Sequence, residues 1–158
     1  MPQITPFLWF DTQAEEAANF YVSVFNNSKI VQITRSGDAG PGPKGSVITV
    51  AFDLDGQRFT ALNGGSRFKF NESTSFVVHC KSQQDVDKYW AALSGNGGQE
   101  SMCGWLKDKY GLSWQIVPDE LPQLLNDPDP GRKGRTMQAL MKMRKLDIAT
   151  LKNAAIAD

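Results

Sequence analysis

The sequence is poor in the side chains that bind metals or form disulfides. Its 158 residues include two cysteines and one histidine. Cys80 and Cys103 stand 23 positions apart without a CxxC spacing, which argues against a disulfide framework and against a zinc clip. Free cysteines are commonly small buried side chains, so both are first interpreted as core residues rather than as reactive thiols.

An excess of charge and a long apolar run are also missing. Lysine plus arginine and aspartate plus glutamate both number 17, so no net field attracts nucleic acid or anionic lipid. The N-terminus lacks a basic segment followed by an apolar run, and no later stretch approaches the ~18 apolar residues of a membrane span. We therefore expect a cytoplasmic protein whose partners are neither nucleic acid nor membrane.

The first half of the chain has the pattern of a β-α-β-β-β module. Thr12 and Glu15 form a capping pair that predicts the start of the helix. Asp55-Gly56 predicts a tight hairpin, and the Gly- and Pro-rich stretch 36–45 predicts a loop. The strands are predicted over 4–10, 30–35, 47–54 and 58–63.

The same order of elements starts again at a strand predicted over 75–80. Ser82 and Asp85 repeat the capping pair of Thr12 and Glu15 after 70 positions. Trp90 lies at the same offset from Phe20, an aromatic residue of the first predicted helix. Strands predicted over 101–107 and 112–117 follow. We predict an α+β fold that forms one structural domain. Its parts are a first βαβββ module at 1–65, a second at 70–118 and a helical tail at 119–158.

The tail has a different composition from the two modules. A Pro-rich break at 127–130 precedes a helix-prone segment over 135–157. Its large apolar side chains are costly to leave in water. They pack either on the parent module or on a second copy across a two-fold axis, and the sequence leaves both open. These side chains are Leu140, Met143, Ile148 and Leu151.

Three segments together carry a family resemblance: FLWFDTQAEEAANFY, CGWLKDKYGLSWQIVP and TMQALMKMRKLDIATL. In this order they resemble the vicinal oxygen chelate (glyoxalase/bleomycin resistance/dioxygenase) superfamily. Within it, the chain resembles the PhnB-like branch that carries the label 3-demethylubiquinone-9 3-methyltransferase domain. The resemblance implies paired modules whose curved sheets surround a cavity, helices on the outer faces, and a homodimer.

The resemblance also implies four positions that hold a metal in metal-using relatives. On this chain they fall at Thr5, at Ala61 or Asn63, at Ser75 and at Gln115. A divalent ion needs carboxylates or imidazoles to replace its water, and these side chains supply neither. We therefore predict that no metal and no other cofactor is bound. Thr5, Asn63 and Ser75 are then candidate ligand contacts, and Gln115 serves either as a polar group of the same ligand pocket or only as a partner for neighbouring groups.

Two side chains are candidates for catalysis. His79 shares a strand face with Ser75 and is a possible base, although a lone histidine is more often a satisfied structural residue. Cys103, predicted on the next long strand, would become a nucleophile if it met His79. Phe7, Trp9 and Trp105 are candidates for aromatic pocket walls, with core packing as the alternative.

The sequence thus predicts a small-molecule-binding protein for an apolar or aromatic ligand, independent of metal and with no known reaction. The alternative is an enzyme, an isomerase, lyase or group-transfer catalyst, that uses His79 or Cys103. The methyltransferase label has little support in the residues. The glycines at 37–45 precede a predicted strand, whereas an S-adenosylmethionine site usually has a glycine-rich turn that opens a helix.

Overall fold

The computed structural model describes residues 1–157, which form two compact units, the first over Met1–Phe70 and the second from Asn71 onward. The first unit contains a four-stranded sheet in the order β1-β4-β3-β2, in which β1 and β4 are parallel and the other pairs antiparallel. Its elements are β1 (Phe7–Phe10), α1 (Ala14–Val24), β2 (Lys29–Arg35), β3 (Val47–Leu54) and β4 (Gln57–Asn63).

The second unit repeats this topology and adds the helical tail. Its sheet has the order β5-β8-β7-β6, again with one parallel pair, β5 with β8. The α+β class and the repeated βαβββ order are therefore confirmed, whereas the grouping of both modules into one domain stays a prediction. The elements are β5 (Ser75–Cys80), α2 (Gln83–Ser94), β6 (Gln99–Glu100), β7 (Trp105–Lys107), β8 (Ser113–Pro118), α3 (Glu120–Leu125), α4 (Pro130–Leu140) and α5 (Ile148–Ile156).

Each sheet packs one face against the helix of its own unit. In the first unit, Tyr21 of α1 is fully buried and stacks on Phe52 with ring centroids 6.2 Å apart. In the second, Val86, Trp90 and Leu93 are the buried residues of α2. Burying a large apolar side chain contributes roughly 1.5–3 kcal/mol, so these faces supply the cores. Among the described residues, no helix combines the length and apolar composition that a membrane crossing needs.

Of the predicted hairpin and the two predicted helix caps, the hairpin and one cap are confirmed and the other cap is wrong. Asp55 and Gly56 both have positive φ, 46° and 81°, as the tight hairpin requires. The Ser82 hydroxyl accepts the Asp85 N–H at 3.1 Å and caps α2. Thr12, however, does not cap α1, which begins at Ala14. The Ala14 N–H instead donates to Asn63 Oδ1 at 2.8 Å, so a side chain from β4 replaces the local cap.

The predicted strand over 101–107 begins later, at Trp105. Cys103 and Gly104 have φ of +60° and +84°, which no regular strand contains. Their N–H groups donate to Met143 O at 2.7 Å and Arg144 O at 2.8 Å, so this backbone bonds to the tail instead of extending β7. The two-residue strand β6 was not predicted, since it is short and polar. β1 likewise starts at Phe7 rather than at residue 4.

The tail packs on its own unit. Four leucines form its buried cluster, and Cys103 and Val117 pack against them from the sheet side. The apolar segment is two helices rather than one, because Asp147 accepts the Thr150 N–H at 2.7 Å and starts α5 anew. Of the predicted apolar positions, Leu140 and Leu151 are buried. The leucines are Leu121, Leu140, Leu146 and Leu151.

Gln83 at the start of α2 ties the tail to the module. Its Nε2 donates to Leu146 O at 3.0 Å, and its Oε1 accepts the Ile148 N–H at 2.8 Å. One amide thus satisfies an acceptor and a donor of the turn that leads into α5. This bridge spans more than 60 positions of sequence, which explains why local patterns do not reveal it.

Candidate functional site

The candidate site is the face of the second sheet that points away from α2, which we call the open face. Alternation along the strands and the strand register define it. Val77 lies opposite Gln115, and Gln115 lies opposite Trp105, so the three form one row across β5, β8 and β7. Val77 is 42% exposed. A second, polar row runs beside the first and consists of Ser75, Ser113, Lys107 and Gln99.

A hydrogen bond joins the two rows. Gln115 Nε2 donates to Ser75 Oγ at 2.9 Å. Both side chains are half-buried, so the bond satisfies polar groups that water reaches only in part. The bond engages the NH₂ group of the Gln115 side chain, as expected if Gln115 only serves as a partner for neighbouring groups. A ligand contact for Gln115 or Ser75 stays a prediction.

The donor set of this face does not fit a divalent metal ion. Ser75 and Gln115 offer a hydroxyl and an amide, both neutral, where a metal needs anions or imidazoles. Within residues 1–157, no three or more His, Cys, Asp or Glu side chains lie close enough together to hold an ion. Ser75 and Gln115 therefore do not supply the ligands that a divalent metal ion needs.

His79 and Cys103 are not joined by a hydrogen bond in the described part of the chain. His79 is exposed near the end of β5. Cys103 is not on a strand, as predicted, but in the turn before β7, where it packs against the tail leucines. The reason is the left-handed backbone at this turn, which directs the chain toward the tail. No hydrogen bond to a base activates this thiol among the described residues, and a catalytic role for His79 or Cys103 stays a prediction.

Cys80, the other thiol, lies on the opposite face of β5 and is fully buried. Burial, together with the carboxylates of Asp85 and Asp119, raises the pKa of this thiol to about 12. Because the thiolate is the reactive form, Cys80 is inert near neutral pH. The prediction that it is a buried core residue is confirmed.

The predicted site residues of the first unit fall in different places. Thr5 precedes β1 and is exposed, because Pro6 has no N–H and the strand begins after it. Asn63 faces the helix side, where it caps α1 and donates from Nδ2 to Val47 O at 3.2 Å. Asn63 therefore does not lie on the sheet face that carries Phe7 and Trp9, and Thr5 lies outside the strand. Phe7 is 59% exposed and remains available for a ligand.

Trp9 holds the segment that follows β4. Its Nε1 donates to Gly65 O at 2.8 Å, and its ring meets the Phe68 ring edge-on at 5.0 Å. A Cβ at Gly64 would lie only 2.3 Å from the Trp9 ring, so a residue without a side chain is needed there. Trp9 therefore has a structural role, and a ligand contact for it stays a prediction.

Sequence reasoning missed two buried polar residues in the β7–β8 hairpin. Asp108 is 2% exposed and organises the β7–β8 turn, where its Oδ1 accepts the Tyr110 N–H at 2.9 Å. An aspartate that bonds the backbone two positions on, shortly before Gly111, is a recognisable turn signal. Ser113 is 1% exposed, and no sequence pattern distinguishes it.

A cleft of about 350 Å³ lies next to the polar row of the second sheet. This volume falls within the range of small-molecule sites. A separate cleft of about 420 Å³ lies beside the start of α1 in the first unit, but Asn63 there is already engaged by the backbone. The cleft at the polar row is lined by Glu72, Gln99, Glu100, Ser101, Trp105, Leu106, Lys107 and Ser113.

Comparison with known proteins supports one family. The family model described as 3-demethylubiquinone-9 3-methyltransferase matches residues 2–117. A putative 3-demethylubiquinone-9 3-methyltransferase, PhnB protein, from Bacillus cereus is 38% identical, with a TM-score of 0.67. The match covers 74% of this chain and 99% of that one. No curated protein is significantly similar in sequence.

Two more distant structures share the fold. A Pseudomonas aeruginosa protein is 19% identical with a TM-score of 0.62, over 75% of this chain and 98% of its own. The fosfomycin resistance protein FosX of Listeria monocytogenes is 12% identical with a TM-score of 0.58, over 79% of this chain and 97% of its own. At such identities the likeness concerns the fold alone.

Proposed function

Because this chain belongs to the 3-demethylubiquinone-9 3-methyltransferase family, within the vicinal oxygen chelate superfamily, we propose that it is a metal-independent protein that binds a small apolar or aromatic molecule. The observation that carries this proposal is the open face of the second sheet. There the bonded pair Ser75 and Gln115 lies beside Val77 and Trp105.

The chemistry of these four side chains favours binding over hydrolytic or redox work. An aromatic ring and an aliphatic side chain provide apolar area, and a neutral amide and hydroxyl orient a ligand without a strong charge. Apolar walls with a few placed polar groups are the usual composition of small-molecule sites. The exposed Phe7 is proposed as a further ligand contact in the first unit.

An enzyme that uses His79 or Cys103 is the alternative, and the methyltransferase label of the family belongs with it. The loop with Gly37, Gly40, Gly42 and Gly45 joins β2 to β3, so no helix follows it to receive a nucleotide. Cys103 packs against the tail. These two observations favour the binding proposal over group transfer, and His79 is then the residue left for catalysis.

Ligand capture from a metabolite extract, followed by mass spectrometry, tests the proposal. We expect the wild-type protein to enrich one apolar or aromatic compound. Gln115→Leu should lower the enrichment about fivefold to tenfold, because one hydrogen bond to the ligand and the Ser75 partner are both lost. Gln138→Leu, on an exposed position of α4, is the matched control. Equal enrichment in all three proteins would contradict the proposal, and conversion of the captured compound would favour the enzyme alternative.

Metal content gives an independent prediction. Purified protein is expected to contain well under one equivalent of nickel, zinc, manganese or iron, because Ser75 and Gln115 supply no anion. Elemental analysis after dialysis against metal-free buffer measures this. About one tightly held metal per chain that disappears in Gln115→Ala would show that the donor set has been misjudged.

A homodimer and a cytoplasmic location stay predictions. The tail packs on its own unit through Leu140, Leu146 and Leu151, so it has no need of a second copy to cover these side chains. If a dimer forms, we therefore infer that its contacts lie elsewhere. Light scattering on the intact chain measures the assembly state.

A further inference from the structure

The Ser113 hydroxyl is buried without a partner. Ser113 is the first residue of β8 and is 1% exposed. Its Oγ makes no hydrogen bond with any of residues 1–157. Because a buried hydroxyl without a partner is destabilising, such a group is commonly completed by a molecule from outside the chain. Ser113 lines the cleft of about 350 Å³, so a bound molecule can supply the missing partner once a small shift of the lining side chains uncovers the oxygen.

Ser113 lies in the middle of the polar row. Ser75 is its neighbour on β5, and Lys107 is its neighbour on β7. Trp105 lines the same cleft and stands one row away, opposite Gln115. Trp105 and Ser113 are therefore diagonal neighbours on adjacent antiparallel strands, roughly 7–8 Å apart, so a ligand with a ring and one polar substituent can reach both.

The charged residues of the cleft are already engaged. Lys107 Nζ forms an ion pair with Glu72, and this bond lowers the pKa of the Glu72 carboxyl, which therefore stays ionised. Glu100 Oε1 accepts the indole N–H of Trp90 at 2.8 Å. Because the indole is neutral, Glu100 keeps its negative charge and disfavours an anionic ligand, and a ligand cation at Ser113 would leave water for a neutral hydroxyl. The charge pattern therefore favours a neutral ligand.

We propose that the cleft at Ser113 binds the neutral hydroxyl or carbonyl group of a planar ligand, with the ring of that ligand against Trp105. The proposal rests on the proposed function and deepens it, because it names the class of ligand. It adds Ser113 to the proposed ligand-binding residues. It excludes carboxylates, phosphates and amines as the group that Ser113 recognises.

Four small probes test the proposal on the full chain: benzyl alcohol, toluene, benzoate and benzylamine. All carry a phenyl ring, and they differ in the group that would reach Ser113. Titrations followed by the amide shifts of β7 and β8 in nitrogen-15 NMR spectra give each affinity. Benzyl alcohol is expected to bind about fivefold to tenfold more tightly than toluene, the effect of one hydrogen bond. Benzoate and benzylamine are expected to bind more weakly than benzyl alcohol.

Ser113→Ala is the decisive variant, and Ser101→Ala, at an exposed position of the same cleft, is its control. Ser113→Ala should remove the preference for benzyl alcohol over toluene. Its unfolding midpoint in urea should equal or exceed that of the wild type, since the variant loses an unpaired buried hydroxyl. Ser101→Ala should keep the preference.

Each contrary result has a distinct meaning. Equal affinities for benzyl alcohol and toluene would overturn the proposal and indicate that water alone completes Ser113. Tighter binding of benzoate or benzylamine than of benzyl alcohol would overturn the proposal that the recognised group is neutral. Probe shifts at Val77 and Gln115 that do not depend on Ser113 would overturn this subsite but leave the proposed function standing. No shifts anywhere on the open face, with no compound captured from the extract, would contradict both.

Discussion

Asp108→Ala is expected to lower the free energy of unfolding by about 3–5 kcal/mol. The Asp108 carboxylate is 2% exposed, and its Oδ1 accepts the N–H groups of Tyr110 and Leu112 at 2.9 and 3.1 Å. Its Oδ2 accepts the indole N–H of Trp114 at 2.9 Å. Alanine would leave these buried donors without an acceptor, and each unpaired group costs about 1–3 kcal/mol. Urea unfolding followed by tryptophan fluorescence measures the loss.

Two variants bracket this result. Asp108→Asn keeps an oxygen for the two backbone donors but places an NH₂ group against the Trp114 indole N–H, so an intermediate loss is expected. Asp38→Ala removes a carboxylate whose side chain is 86% exposed, and its effect should stay within about 0.5 kcal/mol. A loss in Asp108→Ala no larger than that in Asp38→Ala would show that the turn does not depend on this carboxylate.

The second large effect is expected at Leu146, which lies between α4 and α5. Leu146→Ala should cost about 2–5 kcal/mol, the range for truncating a buried leucine. Leu146 is fully buried in the tail cluster, and a Cβ at Gly104 would come within 3.1 Å of its side chain. The tight packing leaves little freedom for the surroundings to refill the cavity. The same urea titration measures the change.

Met141→Ala is the matched control, since Met141 is 64% exposed and lies five positions before Leu146. Its effect should be within about 0.5 kcal/mol. If Leu146→Ala were as mild as Met141→Ala, the tail would contribute little to the second unit in solution. Its apolar side chains would then have to be covered by another surface, such as a second copy.

The strands, turns and caps that depend on residues close together in sequence could be predicted from the sequence. Val47–Leu54 and Ser75–Cys80 agree with their predicted bounds, because β-branched residues and flanking turn residues define both ends. The positive φ values at Asp55 and Gly56 follow from the side chains of those two residues alone. The capping bond from Ser82 to the Asp85 N–H is likewise three positions long.

Features that depend on contacts between residues distant in sequence could not be predicted. Asn63 caps α1 across 49 positions and so displaces the expected Thr12 cap. The backbone N–H of Cys103 donates to Met143 O, so the predicted strand begins only at Trp105 and the thiol lies against the tail. No hydrogen bond joins His79 to Cys103 among the described residues, and whether the two residues act together stays a prediction.

The sequence by itself determined the two repeated βαβββ modules, because strand alternation and turn signals are properties of short segments. Three motifs carried the resemblance to the family, and that resemblance implied the neutral donor positions at Ser75 and Gln115. Only the tertiary structure decided that Ser75 and Gln115 bond to each other, that Ser113 is buried beside a cleft, and that the tail leucines pack on their own unit. Those outcomes depend on which side chains from distant segments fill the same space. A local pattern restricts the face on which a residue lies, but not the partner it meets there.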